Sequence, residues 1–318
     1  MPSEAMLAVL ATLRDRKRAA AGAPPPALAE VRAGFTPADV LHALPDDVRV
    51  TDVSAGGVDA HWLDAPGVDP DRVLVFLHGG GYQFGSLRSD GELAARLGRA
   101  SGMRVLFVEY RLAPEHPFPA AVDDVLAVWR WLRIDQRLNP GSMAVAGDSA
   151  GGGLAVALMM AIRDAGDDVP AAAVLMSPTV DLTSSGRSMT ERVDQDPIST
   201  PALLRQLASD YLAGADPRTP LASPLFAPLD GLPPLLVQVG TADLLLSDSE
   251  RLAGAAIAAG VDVQLEVGEG LPHVYPLMLG TPEAAEATER AGAFLQHQVA
   301  RAISGRDRST SVPRWPRR

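Results

Sequence analysis

The sequence predicts an α/β fold, a mostly parallel sheet of eight strands flanked by helices. Apolar runs rich in β-branched residues alternate with helix-like stretches from residue 72 onward, which is the pattern of a doubly wound sheet. One of these runs passes through a glycine-flanked serine directly into a helical stretch. The chain has 318 residues, of which 47% are hydrophobic, so it can fill one large core.

Eight strands are expected from these runs. Residues 48–54 and 58–63 are joined by Ala55-Gly56-Gly57 and have the pattern of an antiparallel hairpin. Six further strands are expected near residues 72–77, 103–109, 142–147, 171–177, 234–239 and 261–267. Helices are expected near residues 88–100, 118–134, 149–165, 248–259 and 283–301.

Two segments depart from this alternation, and they flank or interrupt the core that we expect to comprise residues 46–183 and 223–303. Residues 1–45 contain an amphipathic helix, a proline-rich break and a second short helical stretch. Residues 184–222 hold a helical stretch between proline-marked breaks. Residues 304–318 are polar and basic with two prolines, which predicts a disordered tail.

The chemistry of the chain is indicated first by Gly147-Asp148-Ser149-Ala150-Gly151, which has the form G-x-S-x-G between a predicted strand and a predicted helix. In such a turn the serine adopts a strained backbone conformation that lifts its hydroxyl out of the fold. Glycines at 147 and 151 let the strand and the helix pass closely. The N–H groups at the start of the helix point towards the place where an oxyanion would form. We therefore interpret Ser149 as a nucleophile.

A second motif, His78-Gly79-Gly80-Gly81, follows the strand predicted near residues 72–77. Three consecutive glycines lose much conformational entropy on folding, which is explained if their backbone N–H groups must approach another atom closely. An acyl-transfer enzyme needs such donors, each worth roughly 3–4 kcal/mol, to stabilise a tetrahedral oxyanion. We expect the N–H groups of Gly80, Gly81 and Ala150 to form this oxyanion hole, with Gly79 as the weaker candidate. A flexible loop is the alternative interpretation.

A serine hydroxyl becomes a good nucleophile only when a base such as histidine takes its proton and a carboxylate orients that histidine. Of the six histidines, His273 lies in a loop after the strand predicted near 261–267, where catalytic side chains are commonly found. Asp243 follows the preceding strand and gives the chain order Ser149, Asp243, His273. Asp181 also follows a predicted buried strand and stays open as the alternative acid.

These motifs, together with the long segment Tyr110–Ala121 (YRLAPEHPFPAA), resemble the hormone-sensitive-lipase-like carboxylesterases, bacterial family IV, of the α/β-hydrolase superfamily. The chain departs from the family pattern next to the acid. A proline commonly follows that aspartate in the family, and Leu244 stands at this position here.

The resemblance implies an α/β-hydrolase fold in which residues 1–45 and 184–222 pack together as a helical cap over the active site. On this basis we expect one face of the first helix to be buried against residues 184–222. That face consists of four apolar residues, Met6, Leu7, Leu10 and Leu13.

The resemblance also implies a serine carboxylesterase that hydrolyses short-to-medium acyl esters with the triad named above, through an acyl-enzyme and without a cofactor or metal. Tyr82, Asp148 and Val274 adjoin the motif residues, and we expect them to contact the substrate. A related hydrolase of amides, lactones or acetyl esters is the nearest alternative. A small-molecule receptor is the alternative from a different class, and the complete triad argues against it.

Composition limits the partners and compartments that we expect. The chain has 28 Lys and Arg residues against 39 Asp and Glu, a net charge of −11, which makes nucleic acid or an anionic membrane an unfavourable partner. It has no cysteine, so it forms no disulfide and no thiolate metal site. We find no secretory signal and no apolar run of about 20 residues. We therefore expect a cytoplasmic protein whose partner is a small-molecule ester, with a homodimer left open.

Overall fold

Eight strands form a single sheet in the computed structural model, which describes residues 1–23, 26–34 and 43–306. The strands are β1 (Arg49–Ala55), β2 (Val58–Asp64), β3 (Asp69–Leu77), β4 (Met103–Val108), β5 (Met143–Asp148), β6 (Ala173–Met176), β7 (Leu235–Ala242) and β8 (Val263–Pro272). They lie in the order β1-β2-β4-β3-β5-β6-β7-β8. β2 is antiparallel to both β1 and β4, and the other neighbours are parallel. The predicted mostly parallel sheet of eight strands is thereby confirmed.

The described ranges also contain nine α-helices. They are α1 (Glu4–Ala20), α2 (Leu28–Gly34), α3 (Leu87–Ser101), α4 (Ala120–Ile134), α5 (Ser149–Asp164), α6 (Ser188–Glu191), α7 (Pro201–Leu212), α8 (Leu246–Ala258) and α9 (Pro282–Arg306). The five helices predicted between or after the strands correspond to α3, α4, α5, α8 and α9. Local chemistry sets their ends. For example, the Ser86 hydroxyl caps the start of α3, and Gly102 ends this helix in the left-handed conformation with a φ of 66°.

The last helix is longer than the sequence predicts. α9 continues to Arg306, whereas we expect a disordered tail from Ser304 onward. The Ser304 hydroxyl donates a 2.8 Å hydrogen bond to the carbonyl of Ala300, one turn earlier, so the polar side chain is accommodated within the helix. The rest of the predicted tail, 307–318, lies outside the described residues.

The sheet separates two apolar cores. Along β3, Val73, Val75 and Leu77 face the core shared with α4, α5 and α8. Leu74 and Phe76 face the opposite core, shared with α3 and α9. Because helices cover both faces, the strand is apolar at successive positions instead of alternating with polar residues. Since β3, β5, β7 and β8 run parallel, the loops that follow them meet at one edge of the sheet.

The first helix packs against a different surface from the one that the sequence predicts. Met6 and Leu10 are buried against residues near the end of β8 and the start of α9, namely Leu271, Tyr275, Met278 and Ala287. Leu7 is 50% exposed. The start of the helix is held there because the backbone N–H and the hydroxyl of Ser3 both donate to the Glu283 carboxylate in α9. The expectation that this face is buried against residues 184–222 is therefore wrong.

Contact between α1 and residues 184–222 includes a polar cluster. The Lys17 ammonium donates to three backbone carbonyls of that segment, those of Val193, Asp196 and Ser199, at 3.4, 2.6 and 2.7 Å. The same segment carries α6 and α7 between β6 and β7. α7 lies over the glycine loop, because the ring of its Tyr211 stacks on Tyr82 with centroids 3.7 Å apart.

Candidate active site

The Ser149 turn connects β5 to α5 in a conformation set by close backbone contacts. Ser149 has a φ of 49°, which is uncommon for a residue that carries a Cβ atom. A Cβ at Gly147 would lie 2.4 Å from the carbonyl oxygen of Gly151, and a Cβ at Gly151 would lie 1.9 Å from that of Leu77. The start of α5 therefore packs so closely on β5 and on the end of β3 that both positions require glycine, which confirms the prediction for this turn.

Ser149, His273 and Asp243 lie in one hydrogen-bonded line. Nε2 of His273 is 3.0 Å from Oγ of Ser149, and Nδ1 is 3.1 and 3.0 Å from Oδ1 and Oδ2 of Asp243. Asp243 is fully buried, whereas His273 borders a cavity. Burial disfavours the charged imidazole, but the Asp243 carboxylate and, to a smaller extent, Asp196 outweigh burial and raise the pKa of His273.

Asp181, the alternative acid, binds a different set of groups. Its carboxylate accepts hydrogen bonds from the backbone and hydroxyl of Thr183, from the Ser185 hydroxyl and from the Arg251 guanidinium. Burial by itself would raise the pKa of this carboxyl, but these donors lower it below its ordinary value. The structure therefore brings Asp243, and not Asp181, to His273.

The glycine loop has free backbone donors at two of its three glycines. Gly80 and Gly81 have φ values of 105° and 60°, which glycine adopts at little cost. Among the described residues, no acceptor contacts the N–H of Gly80, Gly81 or Ala150. The N–H of Gly79, by contrast, donates a 2.9 Å hydrogen bond to Oδ1 of Asp148. The prediction of Gly79 as an oxyanion donor is corrected, because its N–H already has an acceptor.

Tyr82, Asp148 and Val274, for which the sequence predicts substrate contact, all border the cavity. Each also has a defined contact within the protein. The Tyr82 ring stacks on Tyr211, and Asp148 binds the glycine loop as described above. The N–H of Val274 donates to the Ser177 hydroxyl at 3.0 Å, which holds the residue that follows His273. Direct contact with substrate stays a prediction for all three.

A cavity of about 600 Å³ lies beside Ser149 and His273. Much of its wall is apolar and comes from helices outside the two core layers. These residues are Leu13 of α1, Leu28 and Val31 of α2, and Leu203, Leu204 and Leu207 of α7. A small apolar chain can therefore be enclosed while the group that reacts lies at the serine.

Two buried carboxyl groups near the site make contacts that the sequence does not predict. Asp248, in the first turn of α8, accepts from the N–H groups of Val180 and Asp181, each at 3.0 Å, and burial raises its pKa to about 7. Asp196, between α6 and α7, accepts from the N–H of Leu244. The signal for Asp196 is the dipeptide Asp196-Pro197, which indicates a turn and does not identify the turn's distant partner.

Within residues 1–23, 26–34 and 43–306, no three His, Asp or Glu side chains are grouped so that they could hold a metal ion. In the same ranges, every helix is too short or too polar to cross a membrane.

Comparison with known proteins agrees with this fold. Residues 74–277 match the family model described as the alpha/beta hydrolase fold. The chain is 46% identical to an acetyl-hydrolase of Streptomyces hygroscopicus over 260 residues, which cover 80% of this chain and 84% of the relative. It is 35% identical to a carboxylic ester hydrolase of Mycobacterium tuberculosis over 267 residues, which cover 79% and 71% of the two chains.

A solved structure also resembles this chain in fold and sequence. An esterase from the bacterial hormone-sensitive lipase family superimposes with a TM-score of 0.89 and 41% identity, over 94% of this chain and 99% of that one. Fold, motifs and relatives together confirm the resemblance that the sequence suggests. The chain belongs to the α/β-hydrolase superfamily and, within it, to the bacterial hormone-sensitive-lipase-like carboxylesterases.

Proposed function

We propose that this chain hydrolyses carboxylic esters of short-to-medium acyl length. Ser149 is the nucleophile, His273 the general base and acid, and Asp243 the carboxylate that orients His273. The observation that carries this proposal is the line of contacts from Oγ of Ser149 through both ring nitrogens of His273 to Asp243. Such an arrangement makes a serine hydroxyl reactive near neutral pH.

In the first step, Oγ of Ser149 attacks the ester carbonyl carbon while Nε2 of His273 takes the hydroxyl proton. The carbonyl electron pair moves to oxygen, and the N–H groups of Gly80, Gly81 and Ala150 stabilise the oxyanion. The imidazolium then gives its proton to the alkoxide that leaves as the C–O bond breaks. An acyl-serine and a free alcohol result.

In the second step, water replaces the alcohol. His273 takes a proton from water, and the water oxygen attacks the acyl carbon to form a second oxyanion at the same donors. This intermediate collapses, Oγ of Ser149 leaves with the proton from His273, and the free acid is released. Asp243 holds the Nδ1–H, which keeps Nε2 unprotonated at the start of each step.

The size of the cavity supports the proposed limit on acyl length. Under this proposal, α1, α2, α6 and α7 act together as a cap that encloses the acyl chain. A space of about 600 Å³ suits a small ester and is too small for a long-chain triglyceride. The name of the Streptomyces relative, an acetyl-hydrolase, favours an acetyl ester as the second candidate substrate.

The experiment is a comparison of p-nitrophenyl acetate, butyrate, hexanoate and dodecanoate with p-nitrobutyranilide. We expect kcat/KM to be highest for butyrate or hexanoate and to be low for the dodecanoate and the anilide. A clear preference for acetate would favour the second candidate. Ser149→Ala and His273→Ala should each lower kcat by about 10⁴-fold or more, and the double variant should lose little further. Additive losses would contradict a shared mechanism.

A further inference from the structure

The turn that carries Asp243 is held from outside the sheet by a second carboxylate. Oδ2 of Asp196 accepts a 3.0 Å hydrogen bond from the N–H of Leu244, the residue directly after Asp243. The next N–H along the turn, that of Leu245, donates to Oδ1 of Asp243 itself at 2.8 Å. Asp196 is 2% exposed, so water competes little for its contact. Two successive donors of one turn are thus bound by two carboxylates from different parts of the chain.

The position of Asp196 is itself well restrained. Its Oδ1 accepts hydrogen bonds from the N–H groups of Ile198 and Ser199, both at 2.7 Å, which closes the turn before α7. The carbonyl of Asp196 binds the Lys17 ammonium at 2.6 Å. Both carboxylate oxygens and the backbone of Asp196 are therefore engaged, and the contact with Leu244 has a fixed geometry.

The donor in this contact exists because residue 244 is leucine and not proline. A proline at this position would have no N–H, and its ring would restrict φ. Leucine leaves the backbone freer and adds a buried N–H that needs an acceptor. Asp196 supplies this acceptor and so restrains the turn that presents Asp243 to His273.

Asp196 is also the second carboxyl group that acts electrostatically on His273. The charged groups that act on the imidazole are Asp243, after β7, and Asp196, between α6 and α7, and both raise the pKa of His273 against the effect of burial. Burial and the neighbouring Asp243 raise the pKa of Asp196, while the Ile198 and Ser199 donors and His273 oppose this rise. Lys17, on α1, contacts the carbonyl of Asp196.

We propose that Asp196 is a positioning residue for the ester hydrolysis proposed above. It holds the Leu244 amide so that Asp243 faces His273, and its charge stabilises the imidazolium that forms during each step. The inference rests on the proposed function, since it gives Asp196 a role only if His273 is the catalytic base.

Asp196→Asn tests this role, with Asp194→Asn as the matched control. The asparagine loses the charge and leaves one carbonyl oxygen for three N–H donors. Asp194 lies two residues earlier, is exposed, and loses the same charge in its variant. With p-nitrophenyl butyrate, we expect Asp196→Asn to lower kcat about 10- to 100-fold with little change in KM. The acidic limb of its kcat/KM profile should also move to lower pH, and Asp194→Asn should match the wild type in both respects.

A double-mutant cycle shows whether Asp196 acts through Asp243. On an Asp243→Asn background, the change Asp196→Asn should lower kcat by a clearly smaller factor than it does in the wild type. Equal factors in the two backgrounds would overturn the proposal. The proposal would also be overturned if the Asp196→Asn variant had a wild-type kcat and the acidic limb of its kcat/KM profile did not move.

A second variant covers the case in which Asp196→Asn does not fold. Replacement of the Leu244 amide by an ester, through incorporation of leucic acid, the α-hydroxy acid analogue of leucine, deletes the N–H and keeps the side chain. This variant must lower kcat, and an unchanged kcat would overturn the proposal.

Ser149→Ala separates the proposed role of Asp196 from the proposed function. If it keeps turnover, the proposed function fails; if it is inactive while Asp196→Asn equals the wild type, only the role of Asp196 fails.

Discussion

The N–H of Gly79 donates a 2.9 Å hydrogen bond to the carboxylate of Asp148, so the glycine loop is tied to the residue immediately before Ser149. Asp148 is 2% exposed. Burial, reinforced by the nearby Asp90, raises the pKa of Asp148 well above its ordinary value. A protonated carboxyl still has an oxygen that accepts from Gly79. The contact therefore depends on an acceptor atom and not on a negative charge.

The first prediction follows from this relationship. Asp148→Asn keeps an oxygen acceptor and should keep kcat within a few-fold of the wild type. Asp148→Ala leaves the Gly79 N–H buried without an acceptor, so the glycine loop shifts and kcat should fall about 10- to 100-fold. Steady-state kinetics with p-nitrophenyl butyrate measure both. An alanine variant with wild-type kcat would show that the contact does not position the loop.

The second prediction concerns pH. In the proposed mechanism, His273 must be neutral to accept the Ser149 proton. Its pKa is raised above the ordinary 6.5 by Asp243 and Asp196 despite burial. The neutral form is therefore populated only at higher pH, and kcat/KM should rise with pH through a midpoint above 6.5. A pH-stat assay at constant ionic strength gives the profile. A midpoint below the ordinary value would mean that burial outweighs the two carboxylates.

The third prediction concerns the wall that α2 contributes to the cavity. The double change Leu28→Ala and Val31→Ala removes two apolar side chains from the cavity wall. Lost contact of this kind should lower kcat/KM about tenfold for a hexanoate ester and much less for an acetate ester. Leu7→Ala is the control, because Leu7 is apolar, 50% exposed and outside the cavity wall. Equal losses on both esters would show that α2 does not contact the acyl chain.

The fourth prediction concerns stability. Burial raises the pKa of Asp248 from 3.8 to about 7. Between these values the folded protein holds a proton that the unfolded chain has released, so the group's contribution to the free energy of unfolding falls as pH rises through this window. Over the whole window, the contribution of Asp248 to the free energy of unfolding falls by roughly 4 kcal/mol. About 2 kcal/mol of this is lost between pH 5.5 and 8.5.

Asp248→Asn isolates that contribution. The amide oxygen still accepts from Val180 and Asp181, and the side chain does not ionise. Relative to the wild type, the variant should therefore become more stable by about 2 kcal/mol when the pH is raised from 5.5 to 8.5. Urea unfolding at the two pH values measures this difference. A difference between variant and wild type that does not change with pH would contradict a protonated Asp248.

Much of the fold was predictable because its signals are local. Apolar runs with the period of strands and helices marked the elements of the sheet layers to within a few residues. The Ser149 turn was predictable because few sequences can adopt its backbone. Ser149 has a positive φ, and a Cβ at Gly147 would lie 2.4 Å from the carbonyl oxygen of Gly151. The chain order of Ser149, Asp243 and His273 followed from their positions after successive strands. The domain limits, a cytoplasmic location and a homodimer stay predictions of the sequence.

The sequence by itself determined which residue types stand at the ends of the parallel strands, because periodicity and glycine sterics act over a few residues. Only the tertiary structure decided which donor meets which acceptor. It gave the Gly79 N–H to Asp148, turned Met6 and Leu10 towards β8 and α9, and brought Asp196 to the amide beside Asp243. These contacts join positions 48 or more residues apart, and their partners depend on burial and packing that no local pattern encodes.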